Sequence, residues 1–378
     1  MRYFQDNWRT LITPLLGGTV FAYVLMAFSA IIEGNVRLFL EVTLAFAPVL
    51  VFIPGYLQVK YHAITHPVAF LAGERGARLL KVGDVQGALP YLDRAVSLHP
   101  KLALYRHNRG LAHFASADWD SARADFDAAI RLKPQGYASY LMRANLNLIG
   151  NRREAALEDV NTALRLKPSQ VLALALRGVI HHRMGNLEAA IEDYRQCLRV
   201  NPAFIDVYLN LGTAYAEHGD RDAAIQVYTA AITLSPRFGQ AYNNRAYELA
   251  LRGNLKAAMF DVQMGIRYTP QYASLYSTRG MINFLMERYT HAIQDFQHSR
   301  HLQTTYNFAI AGLAATYHAL GNTVNVEEAV RLWTQLVETN TRYTDAEWVR
   351  KELSLPDAMA EETSQIIQQL DSSSDTPQ

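Results

Sequence analysis

At 378 residues, half of them apolar and 19% charged, the chain is long enough for two or three domains or for one elongated array. Its 36 basic residues are matched by 35 acidic ones, and no basic stretch with interleaved aromatics occurs, so the electrostatic footprint of a nucleic-acid binder is missing. The single cysteine, Cys197, excludes an internal disulfide framework and a cysteine-based zinc site, and it fits reducing surroundings.

Two apolar runs come first. Residues 11–32 read "LITPLLGGTVFAYVLMAFSAII" without a charge, and residues 38–59 read "LFLEVTLAFAPVLVFIPGYLQV" with Glu41 alone. As helices each would be ~33 Å long, enough to cross the apolar core of a bilayer. "EGNVR" (33–37) joins them, so the pair predicts a two-helix transmembrane hairpin in contact with lipid. A cleaved signal peptide would leave the second run unexplained, and a soluble hairpin would need a partner layer for helices apolar all round. Gly18 and Ala22 are spaced for close helix packing, Pro48 and Pro54 kink or end the second helix, and Glu41 sits near the loop end. Arg2 and Arg9 precede the first run, and Lys60, Arg75, Arg78 and Lys81 follow the second, against Arg37 alone in the loop. This bias predicts an integral membrane protein, of the bacterial cytoplasmic-membrane kind, with both termini cytoplasmic. Residues 60–68 read as a linker.

From Ala69 onward the chain repeats every 34 residues. Prolines recur at Pro100, Pro134, Pro168, Pro202, Pro236 and Pro270, each twelve residues after an alanine of the series Ala88, Ala122, Ala156, Ala190, Ala224 and Ala258. Small residues recur at Gly76, Gly110, Ala144, Gly178, Gly212, Ala246, Gly280 and Ala314. In the unit 205–236, Tyr208, Leu211, Gly212 and Tyr215 lie at helical spacing. "EHGDRD" then breaks the pattern, with Gly219 as a stop and Asp220 as a start, and Ala224, Tyr228 and Ala231 stripe a second helix. Pro236 ends that helix.

A 34-residue helix–turn–helix unit of this kind resembles the tetratricopeptide repeat (TPR). The resemblance covers residues 69–340 in eight units, 69–102, 103–136, 137–170, 171–204, 205–238, 239–272, 273–306 and 307–340, and implies an all-α fold, a right-handed α-solenoid. The eighth unit carries about three extra residues, expected in its turn before Ala329 and Trp333. "DAEWVRKELSL" (345–355) reads as a helix covering the last repeat, Pro356 stops it, and an amphipathic stretch follows with Ile366, Ile367 and Leu370. Capping helices are thus expected over 341–370 and a disordered tail over 371–378.

One departure from the family pattern stands out. The seventh residue of a unit, usually leucine, is Arg109, Arg143, Arg177, Arg245 and Arg279, and the same five units carry Asp125, Asp159, Asp193, Asp261 and Asp295 sixteen residues later. The fifth unit loses both, with Leu211 and Val227, and the first pairs Arg75 with Tyr91. Joint loss predicts an Arg–Asp bridge inside each unit.

Nothing in the sequence assembles an enzyme site. His181 and His182 are adjacent, His107 and His113 are six apart, and neither pair has the spacing of a helical metal site, so no metal and no cofactor is expected. Phosphate-loop and nucleophile-elbow spacings are missing, and Cys197 holds a small-residue packing position.

Function is expected on a surface instead. The resemblance implies that first helices line a concave groove that selects a protein or peptide. Its expected lining includes Leu104, His107, Asn108 and Phe114, then Leu141, Met142, Asn145, Leu148 and Leu172. Further on come Asp206, Asn210, Gln240, Asn243, Asn244, Tyr247, Ser274, Ser277 and Met281. Asn108, Asn210 and Asn244 share one repeat position, a partial asparagine ladder interrupted by Met142 and Leu176. The basic cluster with which related domains hold a chaperone's terminal carboxylate is missing. The expected function is a membrane-anchored scaffold that recruits or assembles partner proteins. The alternatives are a regulatory or accessory subunit of a membrane transporter or of an envelope-polysaccharide enzyme complex.

Overall fold

The computed structural model describes residues 66–374, which form eighteen α-helices and one 3₁₀ helix with no strand among them. The expected membrane hairpin (11–32 and 38–59) lies outside the described residues, as do most of the linker and the last four residues. No helix among the described residues is long and apolar enough to cross a membrane.

The chain divides into two compact units, Met1–Ser139 and Tyr140–Gln378. In the first, α1 (Pro67–Lys81) pairs with α2 (Val85–Leu98), and α3 (Ala103–Ala115) with α4 (Trp119–Leu132). The boundary falls in the first turn of α5 (Tyr137–Ile149), which precedes α6 (Arg153–Leu166). Then come the hairpins α7 (Val171–Arg183) with α8 (Leu187–Val200), and α9 (Ile205–Glu217) with α10 (Arg221–Leu234). Next are α11 (Gly239–Leu251) with α12 (Leu255–Tyr268), and α13 (Ala273–Leu285) with α14 (Tyr289–Leu302). The eighth hairpin is α15 (Asn307–Ala319) with α16 (Thr323–Thr339). A 3₁₀ turn (Thr341–Thr344), α17 (Ala346–Glu352) and α18 (Asp357–Ser374) complete the chain.

A left-handed residue makes each turn, and in five of the eight a side chain also caps the helix that follows. Gly219 stands at φ 94°, the left-handed region that ends a helix, and the Asp220 carboxylate accepts the Ala223 N–H at 3.0 Å to start the next. Every hairpin has a left-handed residue at this place, including three that are not glycine: Ala117, Asn151 and Glu287.

Inside a hairpin, a small residue on the first helix receives a large one from the second. A Cβ at Gly178 would lie 2.5 Å from the Tyr194 ring, and one at Gly212 would lie 2.3 Å from that of Tyr228. Where the first helix has Ala144 or Ala246 instead, the second offers only Val160 or Val262, so the volumes compensate.

Three boundaries differ from the sequence reading. Helix α1 begins at Pro67, inside the expected linker, because proline is preorganised for the first helical position. The extra residues of the eighth hairpin lengthen α16 to 17 residues and leave its turn short. Three residues are nearly one helical turn, so Ala329, Leu332 and Trp333 still face inward. Finally, Asp371–Ser374 continue α18 and do not belong to a tail.

Candidate partner-binding groove

The predicted arginine–aspartate bridges all form, and they hold the first helices in place. Arg177 donates from Nε to Asp193 Oδ2 at 2.8 Å and from Nη2 to Oδ1 at 2.5 Å, the pairs of Arg109, Arg143 and Arg245 have the same fork, and Arg279 differs only in sharing its Nε between both Asp295 oxygens. The aspartates are buried and the arginines half-buried. A second arm was not foreseen. The remaining guanidinium nitrogen reaches the preceding hairpin, from Arg109 to Asp93, from Arg177 to Asn161 and from Arg245 to Thr229. In the first hairpin the Arg75 guanidinium lies 4.5 Å from the centre of the Tyr91 ring, so a cation–π contact takes the place of the ion pair.

In the second unit, from α7 onward, each first helix also packs on the first helix of the next hairpin, whereas second helices make no comparable contact with one another. First helices therefore form the inner layer there.

Within the first unit, Leu104 is 43% exposed and Asn108 half-buried. His107 is more committed. Its Nδ1 lies 3.0 Å from Ser139 Oγ, and burial pushes its pKa down to about 4. In the second unit Leu172 is 54% exposed, while Met142, Asn145 and Asn210 are half-buried. The amides of Asn108, Asn145 and Asn210 make no hydrogen bond among the described residues, so their donors and acceptors are open. His182 Nε2 and Glu217 Oε2 pair at 2.9 Å and tie α7 to α9.

Other expected groove residues turn out to be occupied. Leu141 and Leu148 are buried and serve as packing. The Thr278 hydroxyl donates to Asn243 Oδ1 at 2.9 Å, and Asn243 donates onward to Asn244 at 3.3 Å. Ser277 faces Ser299 across its own hairpin at 2.7 Å, and Met281 is fully buried. The Tyr247 hydroxyl donates to the Ser354 carbonyl in the C-terminal segment. The amide row is thus open at Asn210, whereas Asn243 is spent and the Asn244 oxygen is taken.

Cys197 is fully buried, and burial pushes its thiol up to about 11, which suits packing and opposes nucleophilic use. No group of residues that could hold a metal ion exists among the described residues.

Sequence profiles of the "Tetratricopeptide repeat" match residues 74–137, 107–171 and 209–263, and a "TPR repeat" profile matches 180–219. The matched residues therefore carry tetratricopeptide repeats, within an all-α helical-repeat fold. A crystal structure of a tetratricopeptide repeat protein from Parabacteroides merdae is 22% identical, with a TM-score of 0.53, covering 66% of this chain and 99% of that one. The hetero-tetramer Cut9–Hcn1 of the APC/C contributes a chain 17% identical with a TM-score of 0.54, covering 68% of this chain and 51% of that one. At these identities the likeness concerns the fold. No curated protein matches the chain.

Proposed function

We propose that the chain is a membrane-anchored scaffold whose repeats hold an extended segment of a partner protein against the inner layer of first helices. The observation that carries this reading is the set of open amides at Asn145 and Asn210 together with the exposed Leu172, on the first helices of the third, fifth and fourth hairpins, of which the third and fourth are locked by arginine bridges. An amide offers a donor and an acceptor, so it pairs with a peptide backbone whatever its sequence. Leu172 and Met142 add preference for spaced aliphatic side chains. Residues 11–32 and 38–59 supply the anchor, and the repeats lie on the cytoplasmic side.

The test compares capture of the co-purifying protein by Asn145→Ala/Asn210→Ala with that by Gln226→Ala, an exposed change on a second helix. The double change is expected to weaken capture by about 2–3 kcal/mol, from two lost bonds of about 1–1.5 each. Equal capture by both variants removes the groove from the account.

A further inference from the structure

The C-terminal helices turn back over the inner layer. Ser354, whose carbonyl accepts the Tyr247 hydroxyl, is 107 residues away in sequence. The Tyr247 ring also meets Phe308 edge-on at 6.3 Å, two hairpins further along. Helix α18 packs on α15, the first helix of the last hairpin. There His318 Nδ1 lies 2.6 Å from Glu362 Oε2, and His318 Nε2 lies 3.3 Å from Gln369 Nε2.

Burial changes along the inner layer at the same place. In the fourth and fifth hairpins, Ala175, Val179, Leu209 and Thr213 are half-buried. At the equivalent positions of the seventh and eighth, Ser277, Met281, Ala311 and Ala315 are wholly buried. Leu355, Met359, Ile366 and Ile367 join Met281 and the α15 alanines in one apolar cluster. A solenoid must cover its last repeat, but a cover on the outer end would leave the inner-layer positions unchanged.

We propose that residues 345–374 are a built-in occupant of the inner face of the seventh and eighth hairpins that reaches Tyr247 in the sixth, leaving the stretch from the third hairpin up to that residue open to a partner. This rests on the groove reading only for the open stretch; the occupancy stands without it. Neighbouring first helices lie about 8–10 Å apart, so four of them span roughly 30 Å. An extended segment of about nine or ten residues covers that distance. The partner motif is accordingly short, with aliphatic side chains towards Leu172 and Met142 and its end short of the covered Tyr247.

Photocrosslinking on the full chain in its native membrane tests the division. Phe308→p-azidophenylalanine and Tyr247→p-azidophenylalanine probe the covered part, and Leu172→p-azidophenylalanine probes the open part. The covered probes are expected to link to residues 345–374 of the same molecule, and the Leu172 probe to a different polypeptide. A link from Phe308 or Tyr247 to another protein overturns the proposal. In-cis links without any capture at Leu172 support the occupancy and defeat the partner reading. Should the variants misfold, hydrogen exchange on the unmodified chain decides. Amides of Met359–Ile367 are expected to exchange at least ~100-fold more slowly than in an unstructured chain, and exchange at the unprotected rate overturns the proposal.

Discussion

The arginine–aspartate bridge is the smallest part with a measurable consequence. Asp193 is buried, and removing Arg177 leaves its charge without the forked donor, while the guanidinium's partial exposure moderates the loss. Arg177→Ala is expected to cost about 2–3 kcal/mol in denaturant unfolding. Arg177→Leu with Asp193→Val, the pair found naturally in the fifth hairpin, should cost less than either single change. A double variant as damaged as Arg177→Ala would mean that the bridge is not the coupled unit described. His107 gives a second prediction. Its folded pKa of about 4 lies below the ordinary 6.5, so between those values the unfolded chain takes up a proton that the folded chain refuses. Its contribution is complete above pH 6.5 and is lost as the pH falls towards 4, amounting to about 2 kcal/mol by pH 5. Native-state hydrogen exchange in α3 and α4 should show this loss, and His107→Gln should flatten it. A variant with the same pH slope would place the titration elsewhere.

At the scale of the helical hairpin, volume compensation is the rule that makes the repeat. Gly178→Ala drives a methyl group into Tyr194 and is expected to cost about 1–3 kcal/mol. Adding Tyr194→Val recreates the Ala144–Val160 pairing and should recover part of that cost in thermal unfolding. If the second change adds its own full cost, the hairpin interface is set by something other than these two side chains. The hairpins were legible in the sequence because every constraint on them is local. Close approach needs a small residue, a helix end needs a left-handed residue, and proline stops the second helix, each at its place in the 34-residue period. The arginine–aspartate bridge was legible for the same reason, since Arg and Asp come and go together sixteen residues apart. Its second arm was not, because Asp93, Asn161 and Thr229 share no residue type that would mark them as partners.

For the molecule as a whole, the limits of the sequence lie in contacts between distant segments. Residues 345–355 and the stretch with Ile366, Ile367 and Leu370 announce a cover, but nothing in their spacing says that it folds inward and joins Ser354 to Tyr247. Asn243 and Met281 therefore read as groove residues, although the tertiary fold closes over them. Attachment to the bilayer is a separate claim with its own test. A chain starting at His66 should stay in the supernatant after a carbonate wash while the full chain pellets, because the two long apolar runs are gone. Sedimentation of both would assign membrane binding to the repeats. The central claim is that the inner layer of first helices takes the partner, and hydrogen exchange on the native protein with and without its co-purifying partner tests it most directly. The account predicts added protection in α7, α9 and α11, with α8, α10 and α12 unchanged. Protection confined to the second helices would contradict it.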